Sequence, residues 1–502
     1  MKIDLKRFIF LPLFLVTLVM CSRGPKETVK LSLNIVSDPL TLDTRKMRIL
    51  EDINIANMLY EGLFRGSEEG PVKALAESYV IDETETIYRF KIKKAHWSNG
   101  KAITANDFLA AYEAILTPEF PSNYAFLLYY IKGAEGIKKG HHEIKTLGVK
   151  ALDDQTLEFQ LNQPIPFFLD LLALPIYFPT PGSEVVFNGP FSLFNWYHNY
   201  QITLTKNPFY WDKEAVKIDR VDLFMCESET GMQMFEKGEL DIEGSPFGTI
   251  PPDCFEHLVL AGKLNLQPVL STSWIRVNTS RDDLQNKFFR KAIATAIHRK
   301  DLTEHIFFNI KTPTLKICPD SNAVSAYQDG SNETAREILA SYPQSRIYTL
   351  TYKSNPTNDR LAQAIQAQLE EAGIQITLEK LESKVFFSKV ASRDYDLAFG
   401  DWIADVPDAM NFLQNFRTHD TGTNNTNWEN PHFKELLDKA IVLRGEQRSN
   451  ILEEAESLLL EEAPIIPLFH GTMQYVKNPR LKGVHISNLG LIDIKGAYFS
   501  DE

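Results

Sequence analysis

The sequence has few cysteines and lacks the short motifs that mark many enzyme families. Four cysteines occur in 502 residues and none forms a CxxC pair, so neither a disulfide framework nor a cysteine zinc site is indicated. The HExxH, GxSxG, P-loop and GxGxxG patterns are absent, which argues against the common metalloproteases, esterases and nucleotide-binding enzymes. We therefore expect a protein that is not an enzyme and that uses neither a metal nor another cofactor.

Positively charged residues are fewer than negatively charged ones. Lys and Arg number 53 against 66 Asp and Glu, which gives a formal net charge of −13. A surplus of negative charge argues against nucleic acid as the main partner. Hydrophobic residues make up 44% and charged residues 24%, the balance of a globular protein. The length is sufficient for two or three packed domains.

The N-terminus predicts export rather than a folded element. Lys2, Lys6 and Arg7 precede an uncharged run, Phe8 to Met20, which is shorter than the ~20 residues of a membrane-spanning helix. Cys21 follows directly, and this arrangement resembles a bacterial lipoprotein signal. The resemblance implies that residues 1–21 form the signal, that Cys21 is lipidated, and that the protein is tethered to a membrane surface. The alternative is an ordinary signal peptide that is cleaved nearby.

Alternating strand and helix patterns indicate an α/β fold. The clearest unit is a strand over residues 346–353, a helix that Asn358 caps and Gly373 ends, and a second strand that starts at Ile374. A strand–helix–strand unit of this kind implies parallel strands. A further strand, residues 396–401, ends at Trp402. Ligands of such sheets bind beyond the carboxyl ends of the strands, so residues 402–408 are predicted to lie in a binding site.

Several longer segments occur in an order that resembles one family, the extracytoplasmic solute-binding proteins of the oligopeptide class (family 5), which are the receptors of peptide ABC importers. The most specific segment is Ala95–Phe108, with the sequence AHWSNGKAITANDF. The other segments are Asp38–Asp43, Leu59–Leu63, Leu75–Tyr79, Tyr88–Ile92, Asn188–Phe191, Lys206–Trp211, Arg290–Ile293 and Ala463–Leu468. Together they span residues 30–470.

The resemblance implies a two-lobed periplasmic binding protein fold that closes by a hinge, with an extra third domain. Residues 22–49, 185–272 and 474–502 would form the first lobe. Residues 50–184 would form the extra domain, and residues 273–473 the other lobe. Such proteins hold an extended peptide largely through main-chain hydrogen bonds, which any peptide sequence supplies.

The resemblance also identifies candidate ligand-binding residues. Asp405, three residues after Trp402, would pair with the α-ammonium group of the peptide, and Trp402 would line the first side-chain pocket. Tyr124 falls near a tyrosine contact of the family. The backbone around Leu50 would supply strand-like hydrogen bonds. The arginine expected shortly before Trp402 is absent, since Phe399 and Asp401 occupy that stretch.

The resulting prediction is a monomeric, exported peptide receptor that delivers its ligand to an ABC permease. Its partners would be a short peptide, the permease subunits and, through Cys21, a membrane. A second hypothesis keeps the fold but replaces the ligand by a muropeptide, a metal chelate or haem. A third hypothesis, a peptidase, finds no nucleophile or metal constellation in the sequence.

Overall fold

The computed structural model describes residues 28–47, 49–67, 70–122, 124–182, 184–419 and 423–501, so Cys21 lies outside the described residues. The strands are β1 (Lys30–Ile35), β2 (Phe64–Ser67), β3 (Gly70–Lys73), β4 (Ala76–Ile81), β5 (Ile87–Ile92), β6 (Val149–Asp153), β7 (Thr156–Gln160), β8 (Phe191–Tyr197), β9 (Gln201–Lys206), β10 (Arg220–Met225), β11 (Ile242–Gly244), β12 (Asn265–Val277), β13 (Thr312–Pro313), β14 (Tyr348–Lys353), β15 (Ile376–Leu381), β16 (Leu397–Ile403), β17 (Ile465–Lys477), β18 (Leu481–Lys482), β19 (His485–Ile486), β20 (Ile492–Asp493) and β21 (Tyr498–Phe499).

Helices alternate with these strands along the chain. The α-helices are α1 (Leu50–Leu59), α2 (Ala105–Leu116), α3 (Ala134–Lys138), α4 (Phe168–Leu171), α5 (Ser228–Glu236), α6 (Phe255–Leu260), α7 (Lys287–Ala296), α8 (Arg299–Phe307), α9 (Asn332–Ser341), α10 (Pro356–Ala372), α11 (Ser383–Ala391), α12 (Ala409–Leu413), α13 (Pro431–Val442) and α14 (Gly445–Glu462). The 3-10 helices are Ala125–Tyr130, Ile144–Thr146, Pro175–Tyr177, Pro252–Cys254, Asp282–Gln285 and Gln414–Phe416. In the described residues no helix combines the length and the apolar character needed to cross a bilayer.

One mixed sheet of 11 strands runs through most of the molecule. Its order is β15-β14-β16-β12-β17-β11-β1-β10-β9-β8, and β13 pairs with β17 at one side. A separate antiparallel sheet, β4-β5-β7-β6, lies within the segment predicted to form the extra domain. The fold is thus α/β, as predicted.

The predicted strand–helix–strand unit is confirmed as β14-α10-β15. The two strands are parallel and pair from Tyr348 with Ile376 to Lys353 with Leu381. One detail of the prediction is wrong, because Asn355 caps α10 and not Asn358. The Asn355 side chain accepts a hydrogen bond from the backbone N–H of Asn358, and Pro356 occupies the first helical position, where a missing N–H costs nothing. Gly373 ends the helix in a left-handed conformation, as predicted.

The two longest strands, β12 and β17, connect the two halves of the large sheet. Each has 13 residues, and β17 pairs with β12 along most of its length and with β11 at its end. Their ladder is irregular between Pro268 and Thr272 and again between Ser273 and Trp274. The predicted lobe boundary at residues 272 and 273 falls at this interruption. Beyond this boundary, within the segment predicted to form the other lobe, one hydrophobic core consists only of buried residues between Ile275 and Phe469.

Candidate ligand-binding site

The candidate site lies where the parallel strands β14 and β16 end. β16 continues into a loop, residues 404–408, and then into α12, so the predicted binding segment is a strand end followed by a helix N-terminus. The loop is attached to β12, since the backbone N–H of Ala404 donates to the carbonyl of Leu270 at 2.8 Å. The crevice at the ends of these strands is the position at which α/β sheets bind ligands.

Asp405 presents a carboxylate that has no cationic partner among the described residues. Its Oδ2 accepts a hydrogen bond of 3.4 Å from Asn411 Nδ2, and no Lys, Arg or His nitrogen of the described chain lies within 4.0 Å of it. Burial therefore raises the pKa of Asp405 to about 6, and the hydrogen bond from Asn411 opposes this shift. A carboxylate that is desolvated and unpaired favours the approach of a cation.

Asn411 holds both predicted residues of this segment in place. Its Oδ1 accepts from Trp402 Nε1 at 2.8 Å and from the backbone N–H of Asp405 at 3.1 Å. Asn411 is buried, on the first turn of α12. Trp402 is half-buried and packs against the main core while its indole N–H is satisfied by Asn411. The structure thus brings Trp402 and Asp405 together through one amide group.

A second acidic residue, Asp408, ends the loop that carries Asp405. Asp408 caps α12 through Met410 and forms an ion pair of 2.8 Å with Arg448. Burial and the charge of Asp408 raise the pKa of Asp170 to about 6. The charge of Asp408 is thus balanced by Arg448, whereas Asp405 has no such partner among the described residues.

A contact from the predicted extra domain reaches this region. The hydroxyl of Tyr130 donates to Gln414 Oε1 at 3.0 Å, directly after α12. Tyr130 ends the 3-10 helix Ala125–Tyr130, and Tyr124 precedes the same helix with its ring 5.9 Å from that of Phe126. Tyr124 therefore belongs to the segment whose other end, Tyr130, contacts the residue that follows α12. Its contact with a ligand stays a prediction.

Leu50 is the first residue of α1 rather than part of an extended segment. Its carbonyl accepts from Asn54 Nδ2 at 3.0 Å, and the extended residue is its neighbour Ile49. Leu50 itself therefore does not have the backbone geometry that strand-like hydrogen bonding requires. Its side chain lies beside Met473: a Cβ built on Gly490 would be 2.4 Å from Met473 Cε and 3.1 Å from Leu50 Cδ2. The contact of Leu50 with a ligand stays a prediction.

A cavity of about 470 Å³ opens next to the same strand end. This volume lies within the range of ~300–1,000 Å³ that is usual for ligand pockets. The cavity is lined by residues of β12, β16 and β17, by the N-terminus of α10, and by aromatic side chains from α8 and α11. Met473, the neighbour of Leu50, is among its lining residues, as is Ile403 of β16. The arrangement can bind an elongated molecule, with a carboxylate at one end and a wide, partly aromatic cavity beside it.

The sequence matches the family described as bacterial extracellular solute-binding proteins, family 5 (middle region), over residues 70–424. The chain belongs to this family.

Relatives of known identity extend the match to nearly the whole chain. The oligopeptide-binding protein OppA of Bacillus subtilis is 30% identical over 95% of this chain and 94% of its own length. The crystal structure of an oligopeptide-binding protein, OppAIV of Borrelia burgdorferi, superposes with a TM-score of 0.84 at 27% identity, over 94% of this chain and 100% of that one. A structure of Listeria monocytogenes OppA bound to peptide has a TM-score of 0.81 at 25% identity, over 95% and 100% of the two chains.

Two residues beside the candidate site of this family 5 protein, Asn411 and Arg276, were not identified from the sequence. Asn411 carries no sequence signal beyond its position six residues after Asp405. Arg276 lies on β12, and its Nη1 donates to the carbonyl of Phe399 at 2.9 Å. This guanidinium therefore stands beside the stretch of β16 from which the expected arginine is absent. Pairing of β12 with β16 is long-range in sequence and could not be derived from either segment alone.

The structure also describes three of the cysteines and the side chains that could bind a metal. Cys226, Cys254 and Cys318 are free thiols. Within the described ranges no cluster of three or more His, Cys, Asp or Glu has the geometry to hold a metal ion.

Proposed function

We propose that this protein is an extracytoplasmic receptor that captures short peptides between its two lobes and delivers them to the permease of an ABC importer. The observation that carries the proposal is the Asp405 carboxylate, which is desolvated, oriented by Asn411 and without a cationic partner in the described chain. The α-ammonium group of a peptide is a cation that would satisfy it. The relatives that are named as oligopeptide-binding proteins support a peptide as the ligand.

The lobes would close through the two strands that cross between them. β12 and β17 are continuous through the predicted boundary, and their ladder is interrupted there, so bending at residues 268–274 would disturb few hydrogen bonds. Closure would bring the segment around Leu50 and Tyr124 toward Asp405. Small-angle X-ray scattering should show a smaller radius of gyration with peptide than without. An unchanged radius would argue against closure.

Isothermal titration calorimetry of the Asp405→Asn variant tests the assignment of the ammonium group. Removing one partner of a desolvated ion pair costs ~3–5 kcal/mol, or about two to three and a half decades of affinity. Asp394→Asn is the matched control, because Asp394 is an exposed carboxylate of the same lobe whose ion pair with Arg281 is superficial. Equal peptide affinity of Asp405→Asn and wild type would refute the role of Asp405.

Native mass spectrometry of the purified mature protein tests the class of ligand and the monomeric state. A ladder of released masses that sequence as mixed short peptides supports the proposal. One discrete mass that is not a peptide would instead favour the specialised ligand, such as a metal chelate or haem. Peptide that is recovered intact after long incubation would agree with a receptor, whereas defined cleavage products would indicate a peptidase.

We further propose that Cys21 is lipidated and anchors the protein to a membrane surface. The basic start, the short apolar run and the cysteine that follows it support this proposal. A single acyl chain gives weak anchoring, so a stable attachment requires more than one chain. Cys21→Ser should release the protein from the membrane fraction and abolish incorporation of labelled palmitate. Wild-type protein that carries no label would refute lipidation.

A further inference from the structure

The sulfur atoms of Cys226 and Met234 lie close together beside the large sheet. Cys226 directly follows β10, and Met234 is in the second half of α5. Cys226 Sγ is 3.9 Å from Met234 Sδ, and both residues are half-buried. Thiolate and thioether sulfurs are soft donors, which select soft cations such as Cu⁺ over Mg²⁺ or Ca²⁺. The pair therefore offers two ligands of the same chemical class to one ion.

The separation of the two sulfurs suits one metal ion between them. Metal–sulfur bonds in proteins are about 2.3 Å long, so two such bonds span at most ~4.6 Å. The observed 3.9 Å is bridged by one ion in a bent geometry. Structural Zn²⁺ sites use four protein ligands, which this pair does not supply. The geometry thus favours a soft cation of low coordination number.

Asn34 restrains the thiol. Its Oδ1 accepts from the backbone N–H of Cys226 at 3.2 Å and from the thiol at 3.3 Å. Asn34 is 3% exposed and lies on β1, which pairs in parallel with β10. The amide therefore fixes the position of the sulfur, as outer groups do for the ligands of metal sites.

A buried carboxylate stands on the other side of Asn34. Glu243 is 1% exposed, and its Oε1 accepts from Asn34 Nδ2 at 3.3 Å. Its Oε2 has no hydrogen-bond partner, and no Lys, Arg or His nitrogen of the described chain lies within 4.0 Å of the carboxylate. A desolvated carboxylate without a counter-charge is costly, so Glu243 favours the arrival of a cation in this region.

This carboxylate points at the face of α5 that carries Met234. A Cβ built on Gly231 would be 2.3 Å from Glu243 Oε2 and 2.6 Å from Asn34 Nδ2. Gly231 and Met234 are three residues apart in α5, and residues with this spacing are neighbours on one helix face. The glycine thus leaves room for the carboxylate beside the turn that positions the thioether.

An acidic cavity begins at the residue after Cys226. It has a volume of about 380 Å³, and its lining includes Asp38, Glu51 and Glu227. No Lys, Arg or His of the described residues lines it. Cavities lined by charges of one sign raise the local concentration of the opposite ion. The cavity therefore concentrates cations next to Cys226.

We propose that Cys226 and Met234 bind a soft monovalent cation such as Cu⁺, with Asn34 and Glu243 as supporting groups. On binding, the thiol S–H bond breaks, the metal–sulfur bond forms and the proton passes to solvent. The thioether donates a lone pair, and no atom is oxidised or reduced. In the sheet, β12, β17, β11 and β1 lie between β16 and β10. The metal site is therefore separate from the Asp405 loop and does not depend on the proposed peptide-receptor function.

Anaerobic titration of the purified protein with Cu⁺, in competition with the chelator bicinchoninate, tests the site. Changes around a metal ligand already cost about 10- to 100-fold in affinity. We expect Cys226→Ser and Met234→Leu each to weaken binding of Cu⁺ by at least about 10-fold. Cys254→Ser is the matched control, because it removes another half-buried thiol, one without a hydrogen bond to a methionine in the described residues. It should retain the wild-type affinity.

X-ray absorption of the bound copper separates a ligand role from a structural one. The ion should have two sulfur neighbours in wild type and one in Met234→Leu. Ag⁺ should compete for the site, and Zn²⁺ should bind at least about 10-fold more weakly than Cu⁺. Circular dichroism and thermal unfolding without metal show whether each variant is folded.

Three results would overturn the proposal. The first is a wild-type affinity for Cu⁺ that Cys226→Ser and Met234→Leu both retain. The second is an unchanged number of sulfur neighbours in folded Met234→Leu. The third is a preference of wild type for Zn²⁺ over Cu⁺, since two soft sulfur ligands do not explain it.

Discussion

Two groups of desolvated charges in this protein behave in opposite ways. In the first, near the C-terminal strands, Arg65 forms a two-pronged pair with Asp493 at 2.9 and 2.8 Å and reaches Glu61 at 3.4 Å. Glu61 is buried and also accepts from Tyr210 at 2.8 Å. In the second group, Asp405, Arg276 and Lys311 in the cleft have no oppositely charged partner within 4.0 Å in the described chain.

The pKa values follow this difference. The pKa of Asp493 is lowered to about 2 and that of Arg65 is raised, because each charge is stabilised by its partner despite burial. The pKa of Asp405 is raised to about 6 and that of Lys311 is lowered to about 8, because burial acts there without compensation. Paired charges thus stabilise the fold, whereas burial disfavours the charged forms of the unpaired groups.

Breaking the paired group should have the largest effect on stability. Arg65→Met would leave Glu61 and Asp493 without their cation, and we expect the free energy of unfolding to fall by ~3–5 kcal/mol. Urea denaturation followed by circular dichroism measures this loss. Arg281→Met removes an exposed pair, 3.2 Å from Asp394, and should cost less than ~1 kcal/mol. Equal stability of the two variants would contradict the distinction between the groups.

Asn411→Ala should weaken peptide binding without removing a charge. The substitution leaves Trp402 Nε1 and the backbone N–H of Asp405 without their acceptor. We expect a loss of ~1–3 kcal/mol of peptide affinity by calorimetry. Peptide affinity is expected to fall at low pH as Asp405 becomes protonated. In the variant this fall should occur at a higher pH, because the hydrogen bond from Asn411 lowers the pKa of Asp405. If the fall occurred at the same pH as in wild type, Asn411 would have only a structural role.

Asp405→Asn should lose ligand affinity and gain stability. The raised pKa shows that the folded protein favours the neutral form of Asp405, so its charged form destabilises the ligand-free fold at pH values above about 6. We expect the free energy of unfolding at neutral pH to rise by ~1–2 kcal/mol. At pH 4, where the wild-type carboxyl is largely neutral in the folded state, the gain should disappear. A destabilised variant at neutral pH would contradict the unpaired state of Asp405.

The local parts of this structure were predictable from sequence, and the parts made by distant strands were not. The β14-α10-β15 unit follows from apolar periodicity and from Gly373. The strand before Asp405 was predicted to end at Trp402, one residue before the observed end of β16 at Ile403. The cap of α10 was misassigned because Asn355 and Asn358 both suit a helix start, and Pro356 decides between them.

The cavity beside Asp405 could not be predicted, because its inner residues come from segments that are adjacent only in the folded sheet. Arg276 is on β12 and Asp401 on β16, and their proximity depends on the antiparallel pairing of Ser273 with Asp401. Arg276 donates to the carbonyl of Phe399, within the stretch of β16 where the expected arginine is absent. A resemblance that is examined residue by residue along the chain detects such an absence, but it does not detect a guanidinium that a neighbouring strand places beside the same stretch.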